Sequence, residues 1–102
     1  VSKEYKYNAK IASYLAEIMS LAFEVNCKTD CAVFVDFSGH VDQLEVRIGL
    51  GKDKGAWEKE VGKMSTYLTH FDEPKKVIKK LESTIAGLKK LLSKELGVNL
   101  LA

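Results

Sequence analysis

Apolar positions recur at helical spacing along the first part of the chain. From Tyr5 to about Cys27, residues Tyr7, Ile11, Leu15, Ile18, Ala22 and Val25 follow one another at steps of three or four, which predicts an amphipathic helix with one buried stripe. Tyr14 and Leu21 widen the stripe, whereas Lys10, Ser13, Glu17, Ser20 and Glu24 fall on the side left to water. The period then drops to two. Cys31 to Phe37 is dense in β-formers, and Val41 to Leu50 alternates, with Leu44, Val46, Ile48 and Leu50 on one face and Gln43, Glu45 and Arg47 on the other. This predicts a hairpin. A two-residue Gly39-His40 turn of type II′ pairs Val35 with Leu44, Val33 with Val46 and Cys31 with Ile48, apolar against apolar. The opposite face then carries Ala32 with Arg47, Phe34 with Glu45 and Asp36 with Gln43.

Gly51 to Gly55 is a turn cluster, and Lys63 to Thr69 reads as a third strand with mixed faces. Ala56 to Gly62 reads either as loop or as strand, with a bulge at Gly62 that brings Trp57 and Val61 to the core ahead of Met64, Thr66 and Leu68. Asp72 then predicts an N-cap, followed by Glu73 and Pro74 in a first helical turn. Val77, Leu81, Ile85, Leu88, Leu92 and Leu96 form a second stripe, Gly97 supplies a stop, and a short apolar tail runs from Val98 to Ala102.

The order α-β-β-β-α predicts an α+β fold of one domain over residues 1–102: a two-layer sandwich in which an antiparallel three-stranded meander carries two long helices on one face. Helices of about 23 to 25 residues span roughly 35 Å, against roughly 23 Å for strands of about seven residues. One or both helices should overhang the sheet, and Leu88, Leu91, Leu92 and Leu96 should then find cover on the other helix or on a second copy of the chain. A homodimer is the expectation.

Composition changes little in this picture. With 102 residues, 46% of them hydrophobic, the chain suits a single core that folds without disulfides or metal. The net charge of +2 is near balance, zero over Val1–Asp30, −2 over Cys31–Leu50 and +4 over Gly51–Ala102. That is too weak to act as an electrostatic address for nucleic acid or membrane. Arg47 is the one arginine among 16 basic residues, although arginine is the usual reader of phosphates and bases. No apolar run approaches the length of a membrane span, and no basic segment with an apolar core opens the chain. A cytoplasmic protein without membrane partners is expected.

Candidate chemistry is sparse. Cys27, Cys31, His40 and His70 are the soft or imidazole ligands present, but the two histidines stand thirty residues apart, unlike a zinc site with its two tight pairs. Neither metal nor other cofactor is expected, and the cysteines read as reduced thiols. Asp36, Ser38, His40 and Asp42 surround the hairpin turn, yet a histidine at a turn tip lacks the pocket that acid–base or nucleophilic catalysis needs. The chain is therefore expected not to be an enzyme. Two surfaces remain. The sheet's open face carries Phe34, Asp36, Gln43, Glu45 and Arg47, an aromatic in a charged setting of the kind found at protein-binding patches, unless the Arg47 stem or Trp57 covers Phe34. The start of the last helix carries Lys75, Lys76, Lys79 and Lys80, ordinarily a solvated face.

Two resemblances bear on these surfaces. Gly39-His40 and Lys75-Lys76-Val77-Ile78-Lys79-Lys80, in the order α-β-β-β-α, resemble the Gly-Pro-x-His loop and Lys-Lys-x-Ala-Lys helix start of double-stranded-RNA-binding domains. This implies nucleic-acid contacts through His40, Lys75, Lys76, Lys79 and Lys80. The loop lacks the proline, the first helix is longer than that family uses, and Asp72 and Glu73 precede the lysines where phosphates would approach. The text Val33-Phe34-Val35-Asp36-Phe37-Ser38-Gly39-His40-Val41, followed by Leu44-Glu45-Val46-Arg47-Ile48 and a charged loop with Trp57, is similar to small uncharacterised proteins encoded by phages and prophages of Gram-positive bacteria. That likeness implies an accessory protein of a bacterial host cytoplasm and assigns no functional residue. The leading expectation is a non-enzymatic protein that acts by associating with a protein partner, with nucleic-acid binding as the alternative.

Overall fold

In a computed structural model, which describes residues 7–51, 59–69 and 72–95, Asn8 opens the first helix. Its side-chain Oδ1 accepts from the N–H groups of Lys10 (3.0 Å) and Ile11 (3.1 Å), satisfying two of the donors that a helix start leaves unpaired. Helix α1 consequently spans Ala9–Lys28 and begins later than the periodicity suggests. Tyr7 lies outside it and is exposed instead of joining the stripe. The rest of the stripe is buried as expected at Ile11, Ile18, Ala22 and Val25, with Tyr14, Leu15 and Leu21 packed against it.

Thr29 links α1 to the sheet in a single turn. Its hydroxyl donates to the Val25 carbonyl (2.8 Å) and accepts from the Cys31 N–H (2.9 Å). The chain thus passes from helix to strand with its buried polar groups paired. Strands β1 (Cys31–Ser38), β2 (Gln43–Leu50) and β3 (Lys59–Tyr67) form one antiparallel meander in that order.

The hairpin register corrects the expectation by two residues. Phe37 pairs with Leu44, Val35 with Val46, Val33 with Ile48 and Cys31 with Leu50. On the other face Asp36 pairs with Glu45, Phe34 with Arg47 and Ala32 with Gly49. The connection is four residues long, and the left-handed position is Asp42 (φ 49°) rather than Gly39. Asp42 tolerates that conformation better than most side chains, and its carbonyl accepts from Leu68 (2.8 Å), fastening the hairpin end to the chain after β3. A shift of two leaves every side chain on its expected face, so Leu44 and Val46 enter the core regardless.

Strand β3 begins earlier than Lys63. Ile48 pairs with Gly62 and Gly49 with Glu60, so Val61 is the extra residue of a bulge. This is the strand alternative for the second half of Ala56–Gly62, but Val61 is exposed instead of reaching the core, because the extra residue of the bulge falls out of the ladder's alternation; the first part of the stretch and Trp57 lie outside the described residues. Thr66 and Leu68 are buried and Met64 packs against the core.

Helix α2 spans Pro74–Glu95 and packs beside α1 on the same sheet face. The helices run in the same direction, since Tyr14 donates to Glu82 (2.9 Å) and Glu17 meets Lys89 (3.3 Å) further along both. Val77, Leu81, Ile85, Leu88 and Leu92 are buried as predicted. At 20 and 22 residues the helices reach about 30 and 33 Å. The strands, at eight or nine residues, reach about 26 to 30 Å. The expected overhang shrinks to about one turn, which corrects the assignment of the helix leucines: Leu88 and Leu92 lie inside the chain's own core, Leu91 is half-buried against it, and Leu96 lies outside the described residues.

Asp72 is not the N-cap of α2. Its carboxylate accepts from the Tyr67 N–H (3.0 Å) and the buried Thr66 hydroxyl (3.0 Å), while the Glu73 carbonyl accepts the first helical bonds from Lys76 and Val77. The Tyr67 N–H, foremost, together with Thr66 and the nearby Lys80 and Lys76, holds Asp72 below its ordinary carboxylate range against the opposing effect of burial.

Candidate functional site

Among the described residues both helices cover one face and no helix or strand lies over the other, as its side chains suggest. It is also largely self-satisfied. The Arg47 guanidinium stacks over the Phe34 ring at 5.5 Å and its Nε lies 3.6 Å from Glu45, which Lys63 approaches at 3.9 Å. Gln43 donates to Ser65 (2.9 Å). Asp36 stands exposed beside them, directly across from Glu45. Phe34, Asp36, Gln43, Glu45 and Arg47 do share a face, but Arg47 partly covers Phe34, and Arg47 and Lys63 pair with Glu45.

The turn residues do not assemble into a reacting centre. His40 is exposed at the loop, while Asp42 serves the loop itself, with its carboxylate near the Thr69 hydroxyl (3.3 Å). Cys27 is exposed on α1 and Cys31 is buried at the start of β1, both as free thiols. Among the described residues no cluster of three or more His, Cys, Asp or Glu is placed to hold a metal, and no helix is long and apolar enough to cross a membrane; His70 lies outside the described residues. Lys75, Lys76, Lys79 and Lys80 are exposed around the first turns of α2, at the same end of the sheet as the β1–β2 loop. Lys80 is partly engaged, donating to the Ser65 carbonyl (3.2 Å).

The edges of the sheet are a feature that the sequence does not announce. An edge strand leaves every second residue's N–H and C=O pointing away from the sheet, and such a row attracts another strand unless something blocks it. On β3 the Asp72 carboxylate takes the Tyr67 N–H, Lys80 takes the Ser65 carbonyl, and the bulge at Val61 breaks the row. On β1 the Thr29 hydroxyl takes the Cys31 N–H. Asn26 of α1 then acts as a short substitute strand: its Oδ1 accepts from the Val33 N–H (3.2 Å), and its Nδ2 donates to the Val33 carbonyl (3.2 Å) and to Ala22 (2.8 Å). The odd residues of β1 therefore point outward. Among the described residues no hydrogen-bond partner meets the outward groups of Val35 and Phe37.

Exposed apolar side chains gather beside this open stretch. Phe23 and Met19 precede Asn26 by three and seven residues, which puts them on the same flank of α1, above the outer edge of β1. They are 73% and 55% exposed; Phe37 and Phe34 on β1 are 57% and 46% exposed. A shallow apolar hollow lined by Ile11, Leu15, Phe37 and Leu68 continues the patch toward the start of α1. A larger cleft of about 480 Å³ lies on the opposite side, between α2 and the inner face of β2 and β3, where Ser83, Thr84 and Gly87 are too small to fill the space over Ile48 and Met64. Compared with known proteins, the chain matches no family model, and neither a curated protein nor a solved structure matches it significantly.

Proposed function

We propose that the chain is a non-enzymatic association module that binds protein through the α1 flank and the outer edge of β1. One observation carries this reading: Met19, Phe23, Phe34 and Phe37 expose large apolar surface next to the unblocked part of a strand edge, the combination that a protein partner covers. The open sheet face, where Arg47 and Lys63 already pair with Glu45, contributes its border at Phe34 rather than its centre. The free thiols of Cys27 and Cys31 fit a reducing cytoplasm, that of a bacterial host if the phage likeness holds.

The exposed lysines at the start of α2, on the same end as His40, favour nucleic-acid binding as a second reading. The test sets the two surfaces against each other. Capture of a protein partner by the immobilised chain should be lost in Phe23→Glu and kept when Lys75, Lys76, Lys79 and Lys80 become Ala. Duplex RNA should show no salt-sensitive affinity for either form. Duplex binding that weakens with salt and vanishes with the lysines would overturn the association reading.

A further inference from the structure

We infer that the partner at this edge is a second copy of the chain, joined by antiparallel pairing of β1 with β1 about a two-fold axis at Asp36, giving a continuous six-stranded sheet. This rests on the association reading above and specifies its partner. The register follows from which groups are already taken. Asn26 occupies both groups of Val33 and Thr29 the N–H of Cys31, which leaves Val35 and Phe37 as the outward pairs of β1. The symmetric antiparallel register that uses these two residues alone sets Val35 against Phe37 of the other copy, and Phe37 against its Val35. The axis then falls between two Asp36 residues. A slip of the axis by one residue along the strand calls on Val33, which is capped, or on Gly39, which lies in the turn.

The exposed surface has the depth that a copy requires. Met19 and Phe23 lie in the helical layer and Phe37 and Phe34 in the strand layer, so a two-layer partner covers both, whereas a single extended segment covers only the edge. With phenyl and methionine side chains at roughly 150–200 Å² each when fully exposed, the stated exposures give roughly 350–460 Å² of apolar surface per copy. That reaches the lower end of the apolar share of a standard interface, about 55–65% of roughly 800 Å² per partner. The opposed Asp36 carboxylates act against pairing, with Glu45 of the same copy across from each. The dimer is therefore modest in strength and sensitive to this residue.

The experiment uses the full chain. Light scattering at about 100 μM should give twice the 11.4 kDa chain mass, and Phe23→Glu, a change at an exposed position, should return it to monomer with an unaltered circular dichroism spectrum. Asp36→Asn should tighten the dimer by roughly two- to fivefold. In a Cys27→Ser background, Asp36→Cys should form a covalent dimer on mild oxidation, because residues opposed on the axis bring their Cβ atoms within disulfide reach. Phe34→Cys, about four residue steps from its own copy in this register, should not. Wild type that stays monomeric yet captures another protein through Phe23 overturns the two-fold pairing and leaves the association reading standing. Monomeric wild type with capture unaffected by Phe23→Glu overturns both. A Phe34 cross-link without an Asp36 cross-link overturns the register.

Discussion

Asn26→Ala tests the edge cap directly. Among the described residues the substitution removes three hydrogen bonds, two to Val33 and one to Ala22, at a half-buried site that water partly reaches. Such bonds contribute net about 0.5–1.5 kcal/mol each, so the gross loss is about 1.5–4.5 kcal/mol, with the lower half of that range appropriate where solvent replaces part of the bonding. Alanine is the better helix former by up to about 0.7 kcal/mol, which offsets some of it. The expected net destabilisation is about 1–2 kcal/mol. Urea denaturation followed at 222 nm should show the midpoint falling by about 1–2 M if the slope is near 1 kcal/mol/M, with the slope itself unchanged. Light scattering should also show species larger than a dimer, because Val33 joins the open row and admits slipped registers. A loss below about 0.5 kcal/mol would mean that Asn26 does not hold β1, and the account of which groups remain open would fall with it.

Asp72→Ala should cost about 1–2 kcal/mol near neutral pH, since two charge-assisted bonds are lost at a partly solvated site, and Asp72→Asn about half as much. Because the folded pKa is lowered, this contribution is fully present above about pH 4 and is lost as pH falls through the lower folded value. The gap between wild type and Asp72→Ala in thermal unfolding should therefore narrow in acid; a gap that widens contradicts the assignment. Gly51 (φ 83°) should resist substitution, with Gly51→Ala costing about 1–2 kcal/mol in chemical denaturation. Gly62→Ala, whose added Cβ meets Ile48 at an ordinary 3.5 Å, should stay within about 1 kcal/mol. Leu88→Ala should cost about 2.5–5 kcal/mol by the same assay, because Leu88 is fully buried in the chain's own core; a loss that appears only above the dimer's dissociation constant would restore it to an intermolecular role.

Both helical stripes, save Tyr7, and the faces of the three strands, save Val61 at the bulge, were legible because burial is periodic and each element has one buried side. What periodicity cannot carry is a distinction between arrangements of the same parity. Pairing Val35 with Leu44 or with Val46 puts the same residues inside, and the choice fell to a loop whose left-handed residue is Asp42, where Gly39-His40 had signalled a shorter turn. Asp72 carries the chemistry of an N-cap, but the outward-pointing Tyr67 N–H at the end of β3 competes for the same carboxylate, and only the folded chain brings the two together. The contact of Arg47 with Phe34 was readable as one of two covers, from the alternation of the hairpin. The unblocked edge was not readable at all. Whether Val35 is open depends on the docking of α1, which brings Asn26 to Val33 and stops one pair short.

That stopping point decides what kind of assembly the edge permits. An edge open along its whole length accepts strands in several registers, and pairings that do not close lead to filaments. Here Asn26 and Thr29 close the first half of β1, and the turn at Gly39 ends the second. Pairing two such edges about Asp36 consumes Val35 and Phe37 of both copies and leaves no residue of β1 with both outward groups open to recruit a third. The far edge of each copy is β3, where the Val61 bulge, Lys80 and Asp72 interrupt the row. Association through β1 in the proposed register would thus end at two chains. On that reading Asn26, whose loss is expected to weaken the monomer, also keeps the pairing finite.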